Sequence, residues 1–121
     1  MDLNEIAHAL VEGVKTGKDA ENLDKLYAPD ALSVEALDMG NGRECKGIEG
    51  IKGKHEWWNS TFEVLDADIG GPFPHGPDRF AVIFKMKAKN RETGEVSDME
   101  EVGLYHVVDG KIVREEFFYG A

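Results

Sequence analysis

Leu3, Ile6, Ala7, Leu10 and Val14 recur at intervals of three and four residues and lay an apolar stripe along a first helix. Asp2 and Glu5 stand at the two positions of a capping box, and Gly17 stands where a left-handed C-terminal cap is wanted. Asp19 can cap a second helix whose apolar positions are Ala20, Leu23, Leu26 and Tyr27. Pro29 pushes Ala28 out of the α region, so that helix ends at Tyr27-Ala28. Pro29-Asp30 then predicts a turn, and Ala31 to Leu37 a strand that is apolar or small everywhere except Glu35. Asp38 to Gly42, rich in Gly and Asn, reads as a turn, and Arg43 to Lys46 as a short returning strand. Ile48, Ile51, His55, Trp58 and Phe62 trace one face of a third helix. Gly50 and Gly53 weaken that helix by about 1 kcal/mol each relative to Ala. Its buried face therefore has to supply much of its stability.

The remainder reads as β structure. Phe62 to Ile69 is a strand, and Gly70 to Asp78 a loop carrying His75 and three prolines. From Arg79 to Lys89, Phe80, Val82, Phe84 and Met86 alternate with Ala81, Ile83, Lys85 and Lys87. Asn90 to Gly94 turns, and two last strands run from Glu95 to Val108 and from Lys111 to Tyr119. Asp109-Gly110 between them is a strong signal for a two-residue type I′ hairpin. That turn pairs Val108 with Lys111 and sets the register behind it. By this register one face holds Glu100, Val102, Leu104, His106 and Val108 beside Val113, Glu115, Phe117 and Tyr119. The other holds Glu101, Gly103, Tyr105 and Val107 beside Ile112, Arg114, Glu116 and Phe118. Both faces mix apolar and charged residues. Three helices can cover one of them, and a second subunit covers the other if the chain is a homodimer, which is the expectation.

A chain of 121 residues is expected to form one domain, residues 1–121, burying roughly two thirds of its unfolded surface. Its 41% hydrophobic content is that of a folded protein. The formal net charge of −10 argues against a nucleic-acid partner, since phosphate binding is driven by Lys and Arg. No apolar run approaches the roughly 20 residues of a membrane span. Acidic Asp2 and Glu5 occupy the place where a signal peptide carries positive charge, so a cytoplasmic location is expected. Cys45 stands alone, which fits a reducing compartment and reads as an inert small residue. His8, His55, His75 and His106 are scattered without metal-ligand spacing. The loop from Gly70 to Pro77 lacks both the P-loop and the dinucleotide fingerprint.

Two helices, Tyr-Ala-Pro-Asp-Ala leading into a strand, Gly-Ile-Glu-Gly-Ile opening a third helix, and a meander ending in Asp-Gly-Lys-Ile-Val occur in that order. The chain resembles the NTF2-like (cystatin-like) superfamily, and within it the SnoaL-like polyketide cyclases and ketosteroid isomerases. The resemblance implies an α+β fold, a cone in which a curved, mostly antiparallel sheet wraps round three N-terminal helices. It implies no cofactor. Carried across residue by residue, the isomerase's general-base Asp falls on Glu35. Its oxyanion-hole Tyr falls on Leu10, and its second donor, an Asp on the penultimate strand, falls on Leu104. Loss of both donors argues against ordinary ketosteroid isomerase chemistry, because oxyanion stabilisation is commonly the largest catalytic term. The cyclase's catalytic Asp falls near Phe117, one same-face step from Glu115. The implied pocket face is thus the one with Glu100, Leu104, His106, Glu115, Phe117 and Tyr119.

The candidate catalytic residues are therefore Glu35, Glu115 and His106. If Glu35 and Glu115 both point into an apolar cone, burial and mutual repulsion are expected to raise at least one pKa, as a general acid or base requires. A His near Glu115 can pass a proton or grip a polar ligand. His55, Trp58, Leu104, Phe117 and Tyr119 are the candidate substrate-binding residues, for a small apolar or aromatic molecule. Three readings stand side by side: an isomerase-, cyclase- or lyase-like enzyme, a non-catalytic binding module, and a protein-association domain. An enzyme requires a cavity with a carboxylate titrating far above its usual value. A binding module requires paired, ordinary carboxylates, and an association domain a cone filled by its own side chains.

Overall fold

The computed structural model describes residues 1–38, 40 and 42–119. Three helices, α1 (Leu3–Thr16), α2 (Asp19–Leu26) and α3 (Ile48–Thr61), lie against one six-stranded sheet. Its strands are β1 (Tyr27–Val34), β2 (Glu44–Lys46), β3 (Phe62–His75), β4 (Arg79–Asn90), β5 (Val96–Val108) and β6 (Lys111–Phe118). They run in the order β2-β1-β6-β5-β4-β3, and β1–β6 is the one parallel pair between described neighbours. This is the expected α+β cone.

The ends of α1 follow from its capping residues. The Glu5 N–H donates to Asp2 Oδ1 at 2.9 Å, and the Asp2 N–H to Glu5 Oε1 at 3.1 Å. Gly17 closes the helix with φ 74°, a left-handed value that favours glycine. For α2 the N-cap is Lys18, with no side-chain cap, and the expected cap Asp19 is the first helical residue. Gly13 lets α1 and α2 close together: a Cβ there would stand 2.0 Å from Asn22 Nδ2, which donates to the Ala9 carbonyl at 3.1 Å. Ile6, Leu10, Leu23, Leu26, Phe80 and Ile112 are among the buried core residues between helices and sheet.

Three strand boundaries differ from the expectation. β1 starts at Tyr27, directly after α2, and absorbs Pro29-Asp30 as an irregularity between Tyr27 and Leu32. It ends at Val34, so Glu35 lies just beyond it, its N–H donating to the Arg43 carbonyl at 2.7 Å. β3 continues through Pro72 and Pro74 to His75, where a loop was expected. It is an edge strand, and prolines are tolerated where no ladder bond is owed on one side; a register shift accompanies them between Gly70 and Phe73. The expected turn from Asp38 to Gly42 includes Met39 and Asn41, which lie outside the described residues.

The fourth difference decides which residues face the helices. The turn is as expected, with φ 52° at Asp109 and 75° at Gly110, and Val108 pairs with Lys111 and Val107 with Ile112. Then the register shifts: His106 pairs with Arg114 and Tyr105 with Glu115, leaving Val113 as the extra residue of a bulge. Because side chains alternate, one extra residue exchanges the faces of everything beyond it. Glu115 and Phe117 therefore share the concave face with Tyr105 and Gly103, not with Leu104 and His106.

Candidate functional site

The concave face, α3 and the ends of α1 and α2 enclose a cavity of about 590 Å³. Its floor is polar and fully assembled. Ser33, the last inward position of β1 before Glu35, pairs in register with Glu115 of β6. Glu115 is 2% exposed, yet its carboxylate is satisfied: Tyr27 Oη donates to Oε1, and Ser33 Oγ donates to Oε2 at 2.7 Å. Burial first, then the Glu115 charge, pushes the Tyr27 hydroxyl well above its usual pKa, so it stays a donor.

Lys54 enters this floor from α3. Its Nζ donates to Ser33 Oγ and to Glu35 Oε2, the latter at 2.8 Å, and stands 3.7 Å from Glu115 Oε2. It also lies 4.8 Å from the centroid of the Phe117 ring, within cation–π range. Tyr119 Oη donates to the other oxygen of Glu35 at 3.1 Å. The result is a continuous chain, Tyr27–Glu115–Ser33–Lys54–Glu35–Tyr119, that ties α3 to β1 and β6.

Glu101 is the exception. It lies on the inward face of β5, opposite Phe84 of β4 and two residues from Gly103. No hydrogen bond or ion pair holds it among the described residues. Burial, reinforced by the Glu35 charge and only partly offset by Lys54, raises its pKa from 4.5 to about 7. Tyr105, two residues beyond Gly103, is 3% exposed and stacks on Phe80 with ring centroids 4.9 Å apart. Burial and the Glu115 charge raise its hydroxyl's pKa, and that hydroxyl has no partner among the described residues.

Of the expected site residues, Glu35, Glu115, His55, Trp58, Phe117 and Tyr119 line the cavity. Leu104 and His106 do not. They sit on the convex face, His106 between Arg79 and Arg114 and Leu104 between Ala81 and Glu116, because the Val113 bulge exchanged the faces. A His106–Glu115 pair is therefore absent, and Leu104 says nothing about a missing donor in the cone. Leu10 does line the cavity, so an apolar side chain occupies that donor position. Glu100 is exposed and reaches the rim alone.

Sequence reasoning missed Lys54, Ser33, Tyr27 as a hydroxyl donor, Tyr105, and above all Glu101. For Lys54 a signal existed: it follows Ile51 by three and precedes Trp58 by four, inside the apolar stripe of α3. Nothing in the alternation could reveal Glu101, since the bulge that turns it inward relative to β6 has no sequence mark.

Comparison with known proteins places this arrangement. A family model described as a SnoaL-like domain matches residues 1–119. The chain belongs to the SnoaL-like family. Among solved structures, a Mesorhizobium loti protein provisionally named a SnoaL-like polyketide cyclase and, in brackets, a carbohydrate phosphatase is 39% identical to this SnoaL-like chain. The match covers 98% of this chain and 100% of that one, with a TM-score of 0.90. A Xanthomonas campestris protein of unknown function with a cystatin-like fold is 22% identical over 100% of this chain and 92% of its own, at a TM-score of 0.78. An NTF2-like protein of unknown function from Burkholderia pseudomallei is 16% identical, covering 91% and 84%, at 0.75. The last two show a shared fold alone. No curated protein matches the sequence. Among the described residues no helix is long and apolar enough to cross a membrane.

Proposed function

We propose that this SnoaL-like domain is a small-molecule enzyme of the isomerase, cyclase or lyase type, moving a proton on an apolar or aromatic substrate held in the cone. The observation that carries the reading is Glu101: a carboxyl with no partner among the described residues, on the wall of a cavity of about 590 Å³, with its pKa raised to about 7. A group that titrates near neutrality gives and takes protons with least penalty, which is what general acid/base work needs. Glu35, the position that matches the isomerase base, has its two oxygens engaged by Lys54 and Tyr119. It serves as the anchor of Lys54, and the proton-transfer role passes to Glu101.

Lys54 supplies the complementary charge. Charge that develops on a substrate oxygen is stabilised by a cation already held in place, and Lys54 is held by Ser33 and Glu35 before any substrate arrives. Leu10 and the rings of Trp58, Phe62, Phe84 and Phe117 give the substrate its apolar bed.

The test is proton exchange at carbon. Small molecules that co-purify with the protein are identified by mass spectrometry and incubated with it in deuterated water. NMR should show deuterium entering a C–H position, and Glu101→Gln should slow that entry by about 10²-fold or more. Exchange that is unchanged in Glu101→Gln removes Glu101 from the chemistry. Ligand retention with no exchange in the wild type supports the binding-module reading instead.

The convex face supports the expected homodimer. Phe73 and Phe118 lie there and are 44% and 47% exposed, around Ile83, Val102 and Leu104. Light scattering at micromolar concentration should give about twice the 13.4 kDa chain mass; a clean monomer removes the proposal.

A further inference from the structure

The charge balance of the cavity wall points to the chemical class of its occupant, an inference that rests on the reading of the cone as a substrate site. Among the described residues, Glu35, Glu101 and Glu115 face the interior against one ammonium, Lys54; Asp19 beside His55, with Asp98 and Glu100, completes the titratable lining. Lys54 is already committed to Glu35 and Ser33, with Glu115 at 3.7 Å. Glu101 receives no hydrogen bond, and the Tyr105 oxygen on the same face of β5 has no partner among the described residues. Gly103 between them lets three rings close on the backbone: a Cβ there would stand 3.0 to 3.1 Å from the rings of Tyr105, Phe117 and Phe84. That corner therefore offers a carboxylate and a phenol oxygen, framed by aromatic faces.

Each ligand class meets this wall differently. An anion faces an excess of carboxylates over cations. A neutral molecule can offer Glu101 a hydrogen bond but no counter-charge. A cation with an apolar body pairs with the carboxylate and lies against ring faces that attract positive charge. We infer that the cone takes a protonated amine on an aromatic or similarly apolar body. Its ammonium sits between Glu101 and the Tyr105 oxygen, and its body lies against Phe84 and Phe117.

The groups facing Glu101 fix the pH behaviour. Glu35 comes from just beyond β1, Glu115 from β6 and Lys54 from α3, while β4 contributes the uncharged Phe84. Alone, Glu101 keeps its proton up to about pH 7. An arriving ammonium stabilises the carboxylate and displaces that proton to solvent. In the complex Glu101 is thus ionised, and its charge holds the ammonium.

The experiment is calorimetric titration of the whole protein with phenethylamine, phenethyl alcohol and phenylpropionate, in two buffers of different ionisation heat, on either side of pH 7. Above pH 7 the amine should bind about ten-fold or more tightly than the alcohol, with the carboxylate weakest. Below pH 7 amine binding should release a proton, and alcohol binding should not. Glu101→Gln should bring the amine to the level of the alcohol and abolish proton release. Alcohol or phenylpropionate binding as tightly as the amine overturns this inference and leaves the substrate-site reading standing. Retention of the amine preference in Glu101→Gln also overturns it. Failure of all three to bind overturns both.

Discussion

Replacing Lys54 with methionine keeps most of the side-chain volume and removes the cation from the cavity floor. Lys54 and Glu35 are 24% and 28% exposed at the side chain, and Glu115 is 2% exposed. Their charges are thus screened far less than those of a surface pair. A hydrogen bond to a charged group is worth roughly 1.5–3 kcal/mol, and breaking a buried pair from one side costs about 3–5. Glu115 keeps Tyr27 and Ser33 as donors, and Glu35 keeps Tyr119, which lowers the figure. We expect Lys54→Met to lose about 2–4 kcal/mol, or roughly 10 °C in Tm for a domain of this size. Urea unfolding at constant protein concentration measures it, with Glu35→Gln and the double variant completing a cycle. The double variant should recover about 1–2 kcal/mol of the summed losses. Additive losses, or a Lys54→Met protein as stable as the wild type, would refute the idea that this cation holds the floor together.

Three further outcomes follow from the same wall. Glu101 has a folded-state pKa above its unfolded value, so it costs stability progressively as pH rises from about 4.5 to about 7. A shift of that size is worth up to about 3 kcal/mol, and less with partial exposure, so Glu101→Gln should be about 2 kcal/mol more stable than wild type at pH 8 and equal to it near pH 4; chemical denaturation at the two pH values checks this. Gly103→Ala should lose about 1–3 kcal/mol and narrow the cavity, because its methyl meets three rings at once, and thermal unfolding with aromatic-probe binding reads both effects. Tyr27→Phe leaves one oxygen of buried Glu115 without its donor and should cost about 1.5–3 kcal/mol in urea unfolding, with the fold retained by circular dichroism.

Local chemistry made much of the fold legible. The capping box at Asp2 and Glu5, the cap at Gly17 and the hairpin at Asp109-Gly110 are set by their own side chains or by φ freedom, so neighbours in sequence suffice to read them. The site was legible where alternation and resemblance agreed, as for Glu35, Trp58, Phe117 and Tyr119 on the cavity wall. It was illegible where one backbone irregularity carried the information. The bulge at Val113 puts Glu115 opposite Tyr105, and counting back from the turn put it opposite Leu104. That slip assigned His106 and Leu104 to the pocket and Glu101 to the outside. Lys54 escaped for a different reason: a lysine on a helix reads as solvated unless its carboxylate partners are known, and those, Glu35 just beyond β1 and Glu115 in β6, lie 19 and more residues away.

The proposed chemistry depends most on the charge state of Glu101. Carbon-detected NMR of the glutamate side-chain carboxyls, with the Glu101 signal assigned by its loss in Glu101→Gln, follows its titration directly in the wild-type protein. A midpoint near 7 is the predicted result, and a midpoint near the ordinary 4.5 would contradict it.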